Sequence, residues 1–311
     1  MAYLPKLTPT VGKGLGGLPK RTASNVLFRG DVLFLYSRQL IVPKGISEIS
    51  VVCIAGGAGG ALGPPKSFAA LASGGAGGLA YTSNIKVKEG DVLFINVGRG
   101  GTGGIADETD SSAGAEGESS YLALNSIRLC EASGGTVSAA NGFNGSVLKS
   151  LGGDVVIGDG GAQGGDGDTL LSTNELLSRG FCTGGGGAGY LGRGGNGQSG
   201  SNTDVSENNG VEDGMPSART FSNGSHLFGS YGSSTNGPST EYFYSSSGST
   251  KDEAVNAAGL FGAGGNVKYD YHGSSTSENK VLAFGVAGAQ GAVRIVWGKG
   301  RSFPSTDVGL I

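Results

Sequence analysis

Charged residues, histidine and cysteine are all scarce in this 311-residue sequence. Charged residues make up 15% of the chain, against about 25% in an average soluble domain. The three cysteines, Cys53, Cys130 and Cys182, lie far apart and form no Cys-x-x-Cys pair, and only two histidines are present. These shortages argue against a zinc site and against a disulfide framework, because both need clustered or paired ligands.

Long apolar runs are also missing. No segment approaches the roughly 18 consecutive apolar residues that a membrane-spanning helix needs. The opening MAYLPKLTP lacks the charged-then-apolar layout of a secretion signal. We therefore expect neither membrane insertion nor export of this chain.

Motifs for catalysis are few and incomplete. A G-x-G-x-x-G match at 98–103 follows a predicted strand, but no helix pattern follows it, so a dinucleotide site is not supported. His226 and His272 lie in Gly/Ser-rich segments without a nucleophile elbow. The two carboxylates of a glycoside hydrolase come together only in the folded protein, so the sequence does not exclude glycan hydrolysis. We predict no enzymatic activity and no cofactor.

Three aspartates in DGGAQGGDGDTL resemble a calcium-binding glycine/aspartate repeat. The spacing of Asp159, Asp166 and Asp168 slips by one residue, and the nonapeptide does not recur. We interpret them as solvated loop carboxylates and predict no metal site.

Glycine is the abundant residue, with 64 in the chain. It recurs directly after alternating apolar runs, as where 49–54 enters AGGAGG. Period-two alternation predicts β-strands with one buried face. Cys53 alternates with Val51 and Ile49, so we predict a buried, apolar role for it. The predicted strands cover 31–36, 39–43, 46–54, 79–87, 92–97, 121–124, 127–130, 281–284 and 292–297.

Two turn signals predict hairpins. Glu89-Gly90-Asp91 separates 79–87 from 92–97, and Asn125-Ser126 separates 121–124 from 127–130. Pro43-Lys44-Gly45 predicts another turn. Helical spacing occurs only at Thr169–Arg179, where we predict one short helix.

These patterns predict an all-β fold: a jelly-roll-like β-sandwich with glycine-rich, polyglycine-II-like layers and long Ser/Gly loops. Polyproline-II-type segments have three residues per turn and no internal hydrogen bonds, so glycine segments could be ordered by pairing with their neighbours. Such packing needs glycine where segments meet, and we expect Tyr190 or Leu191 where they face outwards. The predicted body spans 34–300, followed by a tail at 301–311.

The N-terminal region is basic. Residues 1–30 contain five cations and no acid. Since the net charge of the whole chain is −3, the net charge of the remaining residues is −3 − 5 = −8. We predict that residues 1–33 form an extended arm that docks on a partner, although a frayed terminus is an equally weighted alternative. The net charge of −3 predicts no nucleic-acid binding. The docking candidates are Lys6, Lys13, Lys20, Arg21 and Arg29.

A Ser/Asn-rich insertion at 201–260 carries aromatic residues. Aromatic side chains on polar loops are typical of recognition surfaces, whereas some of them could instead cover the core. The recognition candidates, here and near 270, are Phe221, His226, Phe228, Tyr231, Tyr242, Tyr244, Tyr269 and Tyr271.

Three segments carry a family resemblance. They are VPKGISEISVVCIAGGAGG, then GGAGGLAYTSNIKVKEGDVLFINVGRGG, and finally GAQGAVRIVWGKGRSFPSTDVG. Their order over residues 34–306 resembles the glycine-rich domain of bacteriophage tail and virion proteins, and is similar to T-even-like distal tail-fibre adhesins. The glycine blocks here are shorter and more widely separated than in those adhesins.

The resemblance implies a virion structural protein that is assembled in the host cytoplasm and present in multiple copies. Its implied partners are other virion proteins and, for a tail, fibre or baseplate component, a host cell-surface receptor (protein or glycan). The alternatives are a head-decorating or architectural protein without receptor contact, and a tail-associated glycan depolymerase.

Overall fold

The computed structural model describes residues 29–62, 70–106, 114–137, 150–171, 179–182, 184–190, 192–197, 199–201, 261–265, 267–272 and 280–304. Within these ranges the regular elements are β-strands, with no helix, as the all-β prediction requires. The strands are β1 (Gly30–Phe34), β2 (Arg38–Ile41), β3 (Glu48–Ile54), β4 (Ala61–Leu62), β5 (Ala70–Ala72), β6 (Leu79–Lys86), β7 (Val92–Asn96), β8 (Ile105–Ala106), β9 (Ser120–Leu124), β10 (Ile127–Ala132), β11 (Val155–Ile157), β12 (Gly160–Ala162), β13 (Thr169–Leu171), β14 (Arg179–Cys182), β15 (Ser199–Ser201), β16 (Val267–His272), β17 (Lys280–Gly285) and β18 (Ala292–Trp297).

Two five-stranded antiparallel sheets form a sandwich. The first sheet has the order β1-β18-β3-β6-β12, and the second has the order β11-β10-β9-β7-β2. Alternate residues of both sheets meet in one apolar core, where Val51, Leu93, Leu122 and Ile295 are fully buried. Cys53 lies in this core with no exposed surface, as its alternation with Val51 predicted.

One predicted hairpin is confirmed and the other is wrong. β9 pairs with β10 around Asn125 and Ser126, whose φ angles of 52° and 67° suit a tight two-residue turn. β6 and β7, in contrast, belong to different sheets. The turn at Gly90 does form, but its backbone bonds go to Val42, so residues 87–91 cross between the sheets beside residues 42–47.

The short helix predicted at Thr169–Arg179 is contradicted at both ends, where the backbone forms β13 and β14. β13 pairs with β5, and β14 pairs with β16, so strand partners distant in sequence override a local helical spacing. Jelly-roll topology is not confirmed either. β7, β9, β10 and β11 pair in chain order, which makes a meander instead of a Greek key.

Glycine-rich segments continue from one end of the sandwich and lead into two further sheets, with the orders β13-β5-β4 and β15-β14-β16-β17-β8. β3, for example, runs through residues 55–60 into β4, and β5 runs through 73–78 into β6. We call these segments the glycine layer. Its segments are residues 55–60, 73–78, 98–104, 114–118, 133–136, 151–154, 163–168, 184–189, 193–197, 262–265 and 285–291.

The body therefore has two distinct ends. The proximal end is the end of the sandwich away from the glycine layer, and it carries Arg29, the turns at 42–47 and 87–91, and residues 298–300. The distal end is formed by the two smaller sheets. β1 begins at the proximal end, so residues 30–33 of the predicted arm belong to the first sheet.

The outer face of the first sheet is covered by two segments. Tyr190 is fully buried there, stacked on Phe303 with ring centroids 5.7 Å apart. Tyr190 therefore does not face outwards, because its ring packs in a second apolar cluster on the sheet, and Leu191 lies outside the described residues. Residues 301–304, assigned to a tail by sequence, pack on the same face, where the Ser50 hydroxyl donates to the Arg301 carbonyl oxygen over 3.2 Å.

Candidate functional site

The segment at 55–60 shows how the glycine layer is held together. The N–H groups of Ala55 and Ala58 donate to residues 78 and 75, in the segment at 73–78. Those of the next two positions, Gly56 and Gly59, donate to the segment at 114–118. Each bonding direction thus recurs every third residue, which is the repeat of a polyproline-II-type helix without internal hydrogen bonds.

Six segments surround residues 55–60. Its N–H groups donate to three of them, and its carbonyl oxygens accept from the other three, as where Gly101 donates to Gly57 and Gly135 donates to Gly56. This is polyglycine-II-like packing, in which the backbone bonds sideways in all directions. The segments whose carbonyl oxygens accept from residues 55–60 are 73–78, 114–118 and 285–291. The segments whose N–H groups donate to residues 55–60 are 98–104, 133–136 and 262–265.

Residues 73–78 form a second fully surrounded segment. Its N–H groups donate to 133–136, 163–168 and 262–265, while its carbonyl oxygens accept from residues of the other neighbours, including Ala58, Gly153 and Gly185. The two central segments lie side by side and share neighbours. Residues 184–188 are buried, and the Gly185 N–H donates to Gly74, so this part of the densest glycine tract is packed.

The short distances between segments require glycine at many positions. A Cβ atom on Gly74 would lie 2.0 Å from the Ala58 carbonyl oxygen, and one on Gly185 would lie 2.0 Å from the Gly165 carbonyl oxygen. Contacts this short with backbone cannot be relieved by a side-chain rotation. A side chain is tolerated at one position in three, where Ala55, Ala58 and Ala76 are fully buried.

Side chains complete the hydrogen bonding where the layer reaches solvent. The Gly152 N–H donates to Asp166 Oδ1 over 2.9 Å, and Arg193 Nη2 lies 2.6 Å from the same carboxylate oxygen. Likewise, the N–H of Arg99 donates to Glu118 Oε2 over 3.1 Å. These carboxylates therefore cap a glycine segment, a role that the interpretation of Asp166 as a solvated loop residue missed.

A sequence signal for this layer exists and was overlooked. The triplet x-Gly-Gly occurs twice in succession at 55–60, at 73–78 and at 99–104, and singly at 133–135, 151–153, 163–165, 183–185, 193–195 and 263–265. It also occurs outside the segments of the layer, at 15–17 and 159–161. The first residue of each triplet is the position that carries a side chain. Triplet counting would have located most segments, although not their neighbours.

Most of the predicted recognition and docking residues lie outside the described residues: Phe221, His226, Phe228, Tyr231, Tyr242, Tyr244, Lys6, Lys13, Lys20 and Arg21. Tyr269 and Tyr271 lie in β16 rather than in a loop, and their backbones pair with Ala283 and Val281. Arg29 is exposed at the proximal end, where its Nη2 donates to the Lys299 carbonyl oxygen over 3.4 Å.

Buried ionisable groups are used for structure. Asp31 Oδ2 binds the Arg294 guanidinium, whose side chain is 2% exposed, and lies 3.6 Å from Arg301 Nη2. Burial raises the pKa of the Cys53 and Cys182 thiols, which are both free. Across the described ranges no group of three or more His, Cys, Asp or Glu residues is arranged to hold a metal ion, and no helix could span a membrane.

A sandwich that continues into a layer of laterally bonded glycine segments defines a class of glycine-layered all-β proteins. The family model described as a glycine-rich domain matches residues 36–298, and the chain belongs to that family. The match begins between β1 and β2, ends just after β18 and includes the whole glycine layer. No curated protein matches the chain.

Proposed function

We propose that this protein is a structural component of a bacteriophage particle, attached through its proximal end, whose distal end is presented to a host cell surface. The observation that carries the proposal is that the first strand begins at one end of the body, whereas the long connections between strands leave from the other end. β1 begins at the proximal end, whereas residues 63–69, 107–113, 138–149, 172–178 and 273–279 each connect described residues at the distal end. Variation at the distal end would therefore leave the attachment end unchanged.

In this proposal the glycine layer acts as a rigid spacer between the two ends. Each central segment bonds to its neighbours in all lateral directions, so the layer resists splaying without a thick apolar core. The order of sequence motifs, which resembles virion glycine-rich domains, supports the particle assignment. In this proposal the protein is present in multiple copies, assembles in the host cytoplasm and binds other virion proteins.

Two particle variants test the proposal. Deleting residues 1–28, which stops short of β1, is expected to leave a folded protein that no longer enters particles. Residues 221–244 follow the distal strand β15 in the chain. Replacing them with an equally long Gly/Ser sequence is expected to leave incorporation normal and abolish adsorption to host cells. Both quantities are measured on purified particles, by immunoblot and by adsorption rate.

The remaining outcomes are also informative. Normal incorporation of the 1–28 deletion would rule out the docking arm. Normal adsorption after replacement of 221–244 would favour an architectural role without receptor contact. Release of sugars from host envelopes by the purified protein would favour the depolymerase alternative.

A further inference from the structure

An apolar cavity opens at the proximal end between the two sheets of the sandwich. Its volume is about 10 Å³, close to the space of one water molecule or methyl group. Pro43, Ile46 and Trp297 lie at its mouth, with Pro43 exposed and the other two half-buried. The walls are entirely apolar, so the cavity offers no hydrogen bond to a water molecule and favours an aliphatic group.

Three exposed cations surround this mouth. Lys44 follows Pro43 in the 42–47 turn, and Lys299 lies two residues after Trp297. Arg29 donates to the Lys299 carbonyl oxygen, and the residue after it, Gly30, lies against the Trp297 ring, which a Cβ atom would approach to 2.3 Å. The mouth therefore combines an apolar centre with a basic rim, the layout of a small protein-docking site.

The acids of the proximal end do not neutralise this rim. Glu48 forms an ion pair with Lys86, and Asp91 Oδ2 accepts the Lys88 N–H over 2.8 Å. Glu89 is exposed on the 87–91 link and is the one exposed acid of the two turns at this end. The charges of the two turns, of the Glu48–Lys86 pair and of the residues around Trp297 sum to 5 − 3 = +2, from Arg29, Lys44, Lys86, Lys88 and Lys299 against Glu48, Glu89 and Asp91.

We infer that this mouth docks an acidic protein segment that carries one aliphatic side chain. One methyl group of that side chain enters between Pro43, Ile46 and Trp297, and flanking carboxylates pair with Arg29, Lys44 and Lys299. An acidic partner is favoured because the described charges around the opening have a positive sum and Arg29, Lys44 and Lys299 are exposed. The inference rests on the proposed function in one respect, namely that the partner is a neighbouring virion protein.

Trp297 makes the inference directly testable, because it is the only tryptophan of the chain. The probe is the peptide acetyl-Glu-Asp-Leu-Asp-Glu-amide, titrated into the full-length protein at low salt while Trp297 emission is recorded. We expect a saturable blue shift, since the leucine would displace water from the indole. Serine in place of leucine should raise the half-saturating concentration about fourfold, the equivalent of burying one methyl group.

Matched charge reversals separate the mouth from general electrostatics. Lys44→Glu and Arg99→Glu each change the net charge by −2, but Arg99 is exposed on the glycine layer. We expect Lys44→Glu to raise the half-saturating concentration about tenfold and Arg99→Glu to leave it unchanged. Thermal unfolding of each variant checks that the fold is intact.

Equal effects of the two variants, or no saturable shift of the Trp297 emission, would overturn the inference. So would binding that is lost only in a Lys13→Glu/Lys20→Glu variant, which would instead assign docking to the arm. Because the readout is made on the isolated protein, it stays interpretable even if the particle experiments refute the proposed function.

Discussion

Gly57 lies directly against the Ala263 carbonyl group: a Cβ atom at Gly57 would be only 2.0 Å from that oxygen. The two residues are more than 200 positions apart in sequence, and both belong to the glycine layer. Their contact shows why this layer needs glycine. The backbone segments approach so closely that no side chain fits between them.

Gly57→Ala should therefore destabilise the protein. We expect the free energy of unfolding to fall by about 3 kcal/mol, the upper range for overpacking, because backbone must move to admit the methyl group. Urea denaturation measures the change. The control is Gly90→Ala, where φ is +88° but the Cβ position is open, so only the backbone penalty of about 1 kcal/mol applies. Equal losses in both variants would show that the layer is loosely packed.

Amide hydrogen exchange should distinguish central from peripheral glycines. The N–H groups of Gly57 and Gly75 donate to carbonyl oxygens inside the layer, whereas those of Gly100 and Gly103 have no acceptor in the described chain. We expect the central amides to exchange on the order of 1,000-fold more slowly than the two peripheral ones. Uniformly fast exchange, including that of residues 184–197, would contradict the ordered layer.

Asp31 should be essential for the C-terminal part of the fold. Its carboxylate binds the buried Arg294 and lies close to Arg301, so Asp31→Asn leaves a buried cation with reduced compensation. We expect a loss of about 2 to 4 kcal/mol in the free energy of unfolding. Asp154→Asn is the control, because Asp154 is exposed on the glycine layer and its carboxylate forms no ion pair within the described residues. A loss no larger than that of the control would contradict the role of Asp31.

Stability should fall at alkaline pH because of two buried thiols. Burial raises the pKa of Cys53 and Cys182 in the folded protein, whereas an unfolded thiol has a pKa of about 8.5. Above that pH only the unfolded state loses these protons, so the free energy of unfolding decreases by about 1.4 kcal/mol per pH unit for each thiol. Below it, both states are protonated and the contribution is constant.

The measurement is urea denaturation at several values between about pH 8 and about pH 10, the window set by the unfolded thiol pKa. A Cys53→Ala/Cys182→Ala variant, although less stable overall, should show a flatter pH dependence. An unchanged slope would mean that the thiols ionise equally in both states.

Local patterns predicted the sandwich strands well, because burial on one face leaves a period-two signature in the sequence. β3, β7, β9, β10 and β18 were all anticipated within a few residues. Turn chemistry was also predictable, but pairing was not. The turn at Gly90 has the residues of a hairpin, and only the competing bonds to Val42 show that it connects two different sheets.

The sequence predicted that glycine segments would pack side by side, but it did not predict which residues would lie next to one another. Tyr190 illustrates the limit: an aromatic residue in a glycine tract predicts exposure, yet its ring is buried by Phe303, more than 100 residues later. Asp166 is similar, since its carboxylate looks like a loop acid until Gly152 and Arg193 are seen beside it. Both roles depend on neighbours that no local window contains.

The sequence alone determined that this protein is all-β, rich in glycine and built from backbone contacts between segments with a three-residue repeat. Such properties are local, since they follow from side-chain alternation and from the absence of Cβ atoms. Only the tertiary structure decided which segments lie at the centre of the layer, which N–H groups need a side-chain cap and at which end of the sandwich β1 begins. Glycine segments carry almost no side-chain information about their partners, so their order in space is set by the strands and turns that they connect.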